Sequence, residues 1–223
     1  MTQSVDKHII QEILAHPNAP SLVKKVNAIL ADEQNRRLEF YEDITDSKKI
    51  EFINGEIIEH SPVIKAHNDV YLLLVNLIGV FVSKNKLGYV GGQKIMIGLE
   101  RNDYEPDICF FNQKKAKYFK KGQNLFPTPD FVVEILSRST EDNDRGIKFT
   151  DYEAHGVAEY LLIDPKKEIV EFYRLNIHKK YELVLKSTEG TLFSQTIKGF
   201  AINIKAIFDE DENINTLNRI LSA

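Results

Sequence analysis

The sequence predicts an α/β fold, because segments with helical spacing of apolar residues alternate with short runs typical of strands. Residues 65–86 carry a broad apolar stripe at helical spacing. Residues 131–136 are apolar apart from Glu134, which is typical of a central strand covered on both faces. Residues 169–174 alternate between apolar and polar side chains, as in a half-buried strand. A chain of 223 residues, of which 43% are hydrophobic, can form one folded core.

The first 37 residues are predicted to be an N-terminal helical extension, followed by one domain over residues 38–223. A break at residues 16–20 separates two segments, since prolines there interrupt the pattern. Each segment has apolar residues at helical spacing: Ile9, Ile10, Ile13 and Leu14, and then Leu22, Val26, Ile29 and Leu30. The extension could pack on the body, mediate dimerisation or contact a partner.

A β-hairpin is predicted at Asn54-Gly55, because both central residues of a type I′ turn need positive φ. Its arms are residues 49–53 and 56–59. Alternation directs one set of side chains to the core: Ile50, Phe52 and Ile57. It directs the other set away from the core: Glu51, Glu56 and Glu59.

The helix over residues 65–86 has His67 in its first turn and is closed by Gly88. Strands are expected at residues 94–99 and 105–111, with a turn between them. The second of these strands contains Asp107, and the central strand at 131–136 follows after a long connector.

That connector, residues 112–123, contains five lysines interrupted by Tyr118 and Phe119. A basic loop with aromatic residues could contact phosphates and bases. A solvated connector is the alternative.

After the central strand, Ser139 or Thr140 could cap a helix that ends at His155-Gly156. Asp144, Lys148 and Tyr152 are spaced four residues apart and therefore share one face of this helix. Four strands and a short helix are expected to follow, at residues 159–164, 169–175, 180–185, 192–197 and 213–221.

Composition limits the classes of function. The formal net charge of −4 lacks the global basic character of an avid nucleic-acid binder, and predicts weak, salt-sensitive binding if DNA is bound. The single cysteine, Cys109, excludes an intramolecular disulfide and a cysteine-rich zinc site. The polar N-terminus lacks the pattern of a signal peptide, and the apolar run 70–82 is interrupted by Asn76 and short for a bilayer. We therefore expect a cytoplasmic protein that is not associated with a membrane.

Two carboxylates in apolar strands point to chemistry. Asp107 and Glu134 each lie where a strand should be buried, and burying a lone carboxylate is costly unless it is paired or binds a cation. Oxygen ligands on adjacent strands suit Mg²⁺, which would polarise a phosphodiester and activate water. Lys148 would orient that water or neutralise charge on the phosphate. The alternatives are that Asp107 is a strand-end acid paired with Lys94 or capped by backbone amides, and that Lys148 is a solvated charge.

These residues also resemble a known family. Pro106-Asp107 followed by Glu134 in its apolar run resembles the PD-(D/E)XK nuclease superfamily. The wider series resembles the Uma-type family of restriction endonucleases over roughly residues 38–210. The motifs that carry this resemblance are 51–58, Ser61-Pro62, His67, 105–107, Ser139-Thr140, Asp144, Lys148, Tyr152, 155–157, Glu159-Tyr160 and 163–165.

The resemblance implies a restriction-endonuclease-like α/β core, a mixed sheet flanked by helices, with Mg²⁺, or Mn²⁺ as the alternative metal, held by Asp107 and Glu134. It implies supporting roles for His67, Asp144 and Tyr152, and a lesser one for Glu56 through a metal-bound water. The superfamily pattern has lysine two residues after the second acid, where this chain has Leu136, and Lys148 takes the place of a lysine that has migrated to the next helix. Arg138 also replaces a usual proline.

We therefore predict a Mg²⁺-dependent endonuclease that hydrolyses DNA phosphodiester bonds. Homodimerisation follows as a prediction from symmetry, because cutting two strands requires two sites. A catalytically inactive binding or scaffold protein with the same fold is one alternative. A metal phosphodiesterase acting on RNA or small nucleotides is another.

Overall fold

The computed structural model describes residues 2–44 and 48–222. Its helices are α1 (Thr2–Ala15), α2 (Ala19–Asp43), α3 (Lys65–Asn85), α4 (Gln113–Ala116), α5 (Glu141–Arg145), α6 (Ile147–Ala154) and α7 (Glu210–Ser222), with a 3₁₀ helix at Ile204–Ile207. Its strands are β1 (Ile50–Ile53), β2 (Glu56–Glu59), β3 (Gly88–Gly92), β4 (Met96–Gly98), β5 (Asp103–Tyr104), β6 (Ile108–Asn112), β7 (Leu125–Phe126), β8 (Phe131–Ile135), β9 (Glu159–Asp164), β10 (Ile169–Leu175), β11 (Tyr181–Ser187), β12 (Thr191–Phe193) and β13 (Ala201–Asn203).

The largest sheet has the strand order β11-β10-β9-β8-β6-β3. It is mixed, because β8 and β9 run parallel while its other neighbouring strands are antiparallel. A second sheet has the order β2-β1-β5-β4-β7, and β12 pairs with β13. The predicted α/β fold with a mixed sheet is therefore confirmed.

Helix α3 supplies much of the main core. By length and composition alone it could span a membrane, which differs from the expectation that its apolar run is too short. In the structure the apolar residues of α3 form part of the protein core. Leu74, Leu77 and Ile78 are fully buried. They pack with Phe110 and Phe131 of the sheet. The stripe is thus that of a helix lying on a sheet.

The hairpin forms as predicted, with Asn54 and Gly55 both at positive φ and β1 paired with β2. The orientations of two side chains in the hairpin were predicted wrongly. Glu51 is fully buried, because β1 lies between β2 and β5 and has both faces covered. Ile57 is 55% exposed, because β2 is the edge strand of its sheet.

Other differences concern short or interrupted elements. The helix predicted after residue 139 is divided into α5 and α6 at Gly146, whose φ and ψ are −107° and −99°. The strand predicted over 192–197 ends at Phe193, and a turn leads to β13. Strands β3, β5, β7 and β13 were not predicted, and none of them exceeds five residues in the described structure.

Helix α2 continues through the predicted boundary at residues 37 and 38. Its N-terminal part is largely exposed, whereas Glu33, Arg37 and Phe40 are buried. The helix is thus one continuous element of which only the C-terminal part packs on the body. The division of the chain at residue 37 stays a prediction.

Glu171 on β10 ties the sheet to α5, since its carboxylate accepts hydrogen bonds from Arg145 at 2.9 and 3.0 Å. The Arg145 hydrogen bonds lower the pKa of Glu171 to about 2, outweighing the effect of burial. A carboxylate with a lowered pKa stabilises the fold above its unfolded pKa, and this contribution is lost as the pH falls through about 2.

We therefore expect Glu171→Gln to reduce the free energy of unfolding by about 2 kcal/mol at pH 7 and by much less near pH 2.5. Urea denaturation at both pH values checks this. An equal loss at both would show that the carboxylate charge does not contribute.

Candidate active site

The register of two central strands brings the predicted acids together. β6 and β8 are antiparallel, with Ile108 opposite Val133. Asp107 precedes the first of these residues and Glu134 follows the second, so the same register places the two acids opposite each other. The Asp107 amide lies 3.4 Å from Glu134 Oε2, and the Ile135 amide donates to Asp107 Oδ2 at 2.8 Å. Both acids are almost completely buried.

Asp107 is surrounded by cationic and polar donors. Lys49 Nζ lies 3.0 Å from Oδ1, and His67 Nε2 lies 3.2 Å from Oδ2. Burial alone would raise the pKa of Asp107, but Lys49 and His67 outweigh it and hold that pKa below its usual range. Asp107 is therefore an anion at neutral pH. The predicted position of His67 beside the acids agrees with the structure, and Lys49 is a cationic partner of Asp107 that the sequence did not indicate.

Glu134 has a different environment. Its Oε1 accepts hydrogen bonds from Lys148 Nζ and Tyr152 OH, each at 3.2 Å. Burial raises the pKa of Glu134 to about 8, and the nearby carboxylates of Asp144 and Asp107 add to the rise while Lys148 opposes it. Two acids with different environments thus lie side by side.

Lys148 is enclosed by three carboxylates. Its Nζ lies 2.9 Å from Glu51, 3.2 Å from Glu134 and 3.1 Å from Asp144. Burial would lower the pKa of Lys148, but the three carboxylates outweigh it and raise that pKa well above its usual value, which favours the charged ammonium. The alternative of a solvated Lys148 does not hold, because its side chain is 2% exposed.

Two residues of this cluster were missed from the sequence. Glu51 contacts Lys148 and also His60, at 3.0 Å. Lys49 contacts Asp107. A signal for Glu51 exists, since it is an acid among apolar residues in a strand, the same pattern that singled out Glu134.

Glu56 does not join the cluster. It lies at the hairpin turn with a side chain that is 76% exposed, and it contacts Arg36 at 3.6 Å. The hairpin turn carries it away from the end of β1 where Lys49 lies. The supporting role suggested for Glu56 therefore has no geometric basis.

The acids lie at a cavity of about 1070 Å³. Asp107, Glu134 and Lys148 line it, and basic residues border it: Lys94, Arg138, Lys166 and Lys167. We call these four residues the basic rim. The lysine-rich connector 112–123 follows the far end of β6, about five residues from Asp107, and does not line this cavity.

The carboxylate oxygens of Asp107 and Glu134 are suitable ligands for a divalent cation at an open site. Within residues 2–44 and 48–222, Glu134 Oε2 accepts only the long bond from the Asp107 amide, so the carboxylate keeps free lone pairs. Among the described residues, no group of three or more histidine, cysteine or acidic side chains forms a metal cluster. A hard cation here would take two carboxylates from the protein and its other ligands from water or substrate, as Mg²⁺ commonly does.

Comparison with known proteins gives the family. The Uma2 family, described as "putative restriction endonuclease", matches residues 32–205. The crystal structure of a "putative nuclease" from Anabaena variabilis has a similar fold, with a TM-score of 0.66 and 20% identity, covering 80% of this chain and 97% of that one. No curated protein matches. Because the family match spans well over half of the sequence, the resemblance expected from the motifs is confirmed, and the chain belongs to the Uma2 family of restriction-endonuclease-like proteins.

Proposed function

We propose that this protein is a Mg²⁺-dependent endonuclease that hydrolyses phosphodiester bonds in DNA. Membership of a nuclease family supports the general class. The observation that carries the proposal is the pair of buried acids, Asp107 immediately before β6 and Glu134 on the neighbouring β8, which lie opposite each other at a cavity with a basic rim.

Asp107 and Glu134 would hold the Mg²⁺ or Mn²⁺ ion, which when bound would polarise the scissile phosphate and make water a stronger nucleophile. Lys148 would hold Glu134 in place through its 3.2 Å contact and, because it lines the cavity, would orient the attacking water or neutralise charge on the phosphate. Tyr152 and Asp144 would fix Glu134 and Lys148, and His67 would fix Asp107.

The charge distribution favours a polyanionic substrate. The chain is acidic overall, with a formal net charge of −4, and Lys94, Arg138, Lys166 and Lys167 line the cavity together with the acids Glu59, Glu141 and Asp164. Basic side chains of this kind bind phosphates and make binding salt-dependent. Cleavage of both strands of a duplex would require two sites, so we propose that the active form is a homodimer, acting in the cytoplasm.

Calorimetric titration of the protein with Mg²⁺ and Mn²⁺, followed by incubation with supercoiled plasmid, tests the proposal. We expect the protein to bind the metal in one calorimetric transition. We also expect the protein to nick or linearise the plasmid, and this cleavage should stop when EDTA is added. A well-folded protein that binds neither metal would overturn the proposal and favour the scaffold alternative. Metal binding with cleavage of RNA or small phosphodiesters, and not of DNA, would overturn the choice of substrate.

A further inference from the structure

Lys49 lies on the acid that is proposed to bind the metal. Its Nζ is 3.0 Å from Asp107 Oδ1. The other oxygen, Oδ2, is occupied by the Ile135 amide at 2.8 Å and by His67 at 3.2 Å. Lys49 therefore holds the oxygen of Asp107 that these two groups leave to an incoming cation.

Two cations cannot occupy this position together. Unit charges about 4 Å apart interact by several kcal/mol at the effective dielectric of a protein site, and a divalent ion doubles the repulsion. The Lys49 ammonium, 3.0 Å from Oδ1, lies where a divalent cation bound to that oxygen would have to lie.

The side chain of Lys49, unlike that of Lys148, can move away from the carboxylate that it contacts. Lys148 is enclosed by three carboxylates and has a side chain that is 2% exposed. The side chain of Lys49 is 23% exposed and lines the cavity. Since Lys49 precedes β1 rather than lying within it, its flexible stem can swing into the cavity without disturbing the sheet.

We propose that Lys49 is a built-in counter-ion that occupies the cation position on Asp107 in the metal-free protein and is displaced when a divalent cation binds. The inference rests on the proposed metal site. Lys49 would stabilise the metal-free fold and would weaken metal affinity, because binding must first break its contact with Asp107.

Titration with Mn²⁺ tests this in the full chain, using Lys49→Gln and the matched control Lys48→Gln. Lys48 is the neighbouring residue, lines the same cavity and contacts exposed Glu59 rather than Asp107. Each variant loses one positive charge from the cavity. We expect Lys49→Gln to bind Mn²⁺ about tenfold more tightly than the wild type, and Lys48→Gln to change affinity by about twofold or less.

Thermal unfolding with and without Mn²⁺ provides a second measurement. Lys49→Gln should melt below the wild type without metal and gain more from saturating Mn²⁺, since binding to the folded state stabilises it. Lys49→Arg, which retains a cation, should bind Mn²⁺ with nearly wild-type affinity.

The outcomes separate the two proposals. Wild-type binding of Mn²⁺ with no tightening in Lys49→Gln would overturn the role of Lys49 and leave the proposed function standing. Absence of Mn²⁺ binding in wild type and variants would overturn both. If Lys49→Gln is unfolded without metal, recovery on adding Mn²⁺ supports the proposal, and failure to recover overturns it.

Discussion

Glu134→Gln is expected to abolish Mg²⁺ binding and to lower plasmid cleavage on the order of 10³-fold, while the metal-free fold is retained. The carboxylate is one of two acids opposed across β6 and β8. Glutamine cannot supply an anionic oxygen, so a divalent cation would keep only Asp107 as a charged ligand. Losses of 10²–10³-fold follow removal of a single preorganised group that stabilises charge in other enzymes, and loss of a metal ligand removes more.

The fold should tolerate this change because glutamine resembles protonated glutamate. Burial raises the pKa of Glu134 to about 8, so its charged form is disfavoured in the metal-free protein and losing that charge costs the fold little. The amide oxygen of glutamine can still accept the bonds that Lys148 and Tyr152 donate to Oε1. The bond that is lost is the long one from the Asp107 amide. We expect the free energy of unfolding to change by less than about 1 kcal/mol.

Calorimetry, urea denaturation and a plasmid-nicking assay would be applied to Glu134→Gln and to Glu56→Gln. Glu56 is an exposed acid at the hairpin turn and does not line the cavity. Its replacement by glutamine removes one negative charge, as Glu134→Gln does. The control should bind metal and cleave DNA as the wild type does. Unchanged metal binding in Glu134→Gln would show that this acid is not a ligand.

The two central acids could be predicted because their sequence pattern conflicts with burial. Asp107 and Glu134 each interrupt an apolar strand, and that conflict is visible without a structure. Their juxtaposition also follows from an antiparallel register of the two strands that carry them. Local signals were sufficient for the hairpin as well, since Asn54-Gly55 specifies its own turn.

The remainder of the cluster depends on contacts between distant parts of the chain. The alternation of apolar and polar residues placed Glu51 on the outer face of the hairpin. That inference assumes that one face of the hairpin is exposed to solvent. Packing of β1 between β2 and β5, and the approach of Lys148 from α6, remove that face from water. Lys49 could not be identified either, because its partner Asp107 is 58 residues away.

Tertiary pairing also explains why α2 does not end at residue 37. Arg37 is buried and makes a two-pronged contact with Asp103 of β5, with both nitrogen–oxygen distances at 2.6 Å. It also donates to the carbonyls of Leu99 and Glu100, and Tyr41 donates to Asp103. The C-terminal part of α2 is therefore fixed to the second sheet by a charge pair that sequence spacing does not reveal.

Removing one member of this pair should strongly destabilise the protein. Arg37→Met leaves the Asp103 carboxylate, which is fully buried, without its cation and removes the donor from three carbonyls, those of Leu99, Glu100 and Asn102. Breaking a buried ion pair in this way costs about 3–5 kcal/mol. Urea denaturation should show a lower midpoint with an unchanged slope. Lys65→Gln, which breaks the exposed Lys65–Asp69 pair, should leave the midpoint where it is.

A double-mutant cycle with Asp103→Leu separates the pair from its surroundings. If the charge pair itself carries the effect, Arg37→Met combined with Asp103→Leu should lose less stability than the sum of the two single variants, because no buried charge then remains unpaired. Additive losses would mean that the carbonyl contacts of Arg37, rather than Asp103, hold α2 in place. Since Asp103 lies on the strand that leads directly to Asp107, the coupled result would also mean that α2 supports the strand entering the candidate site.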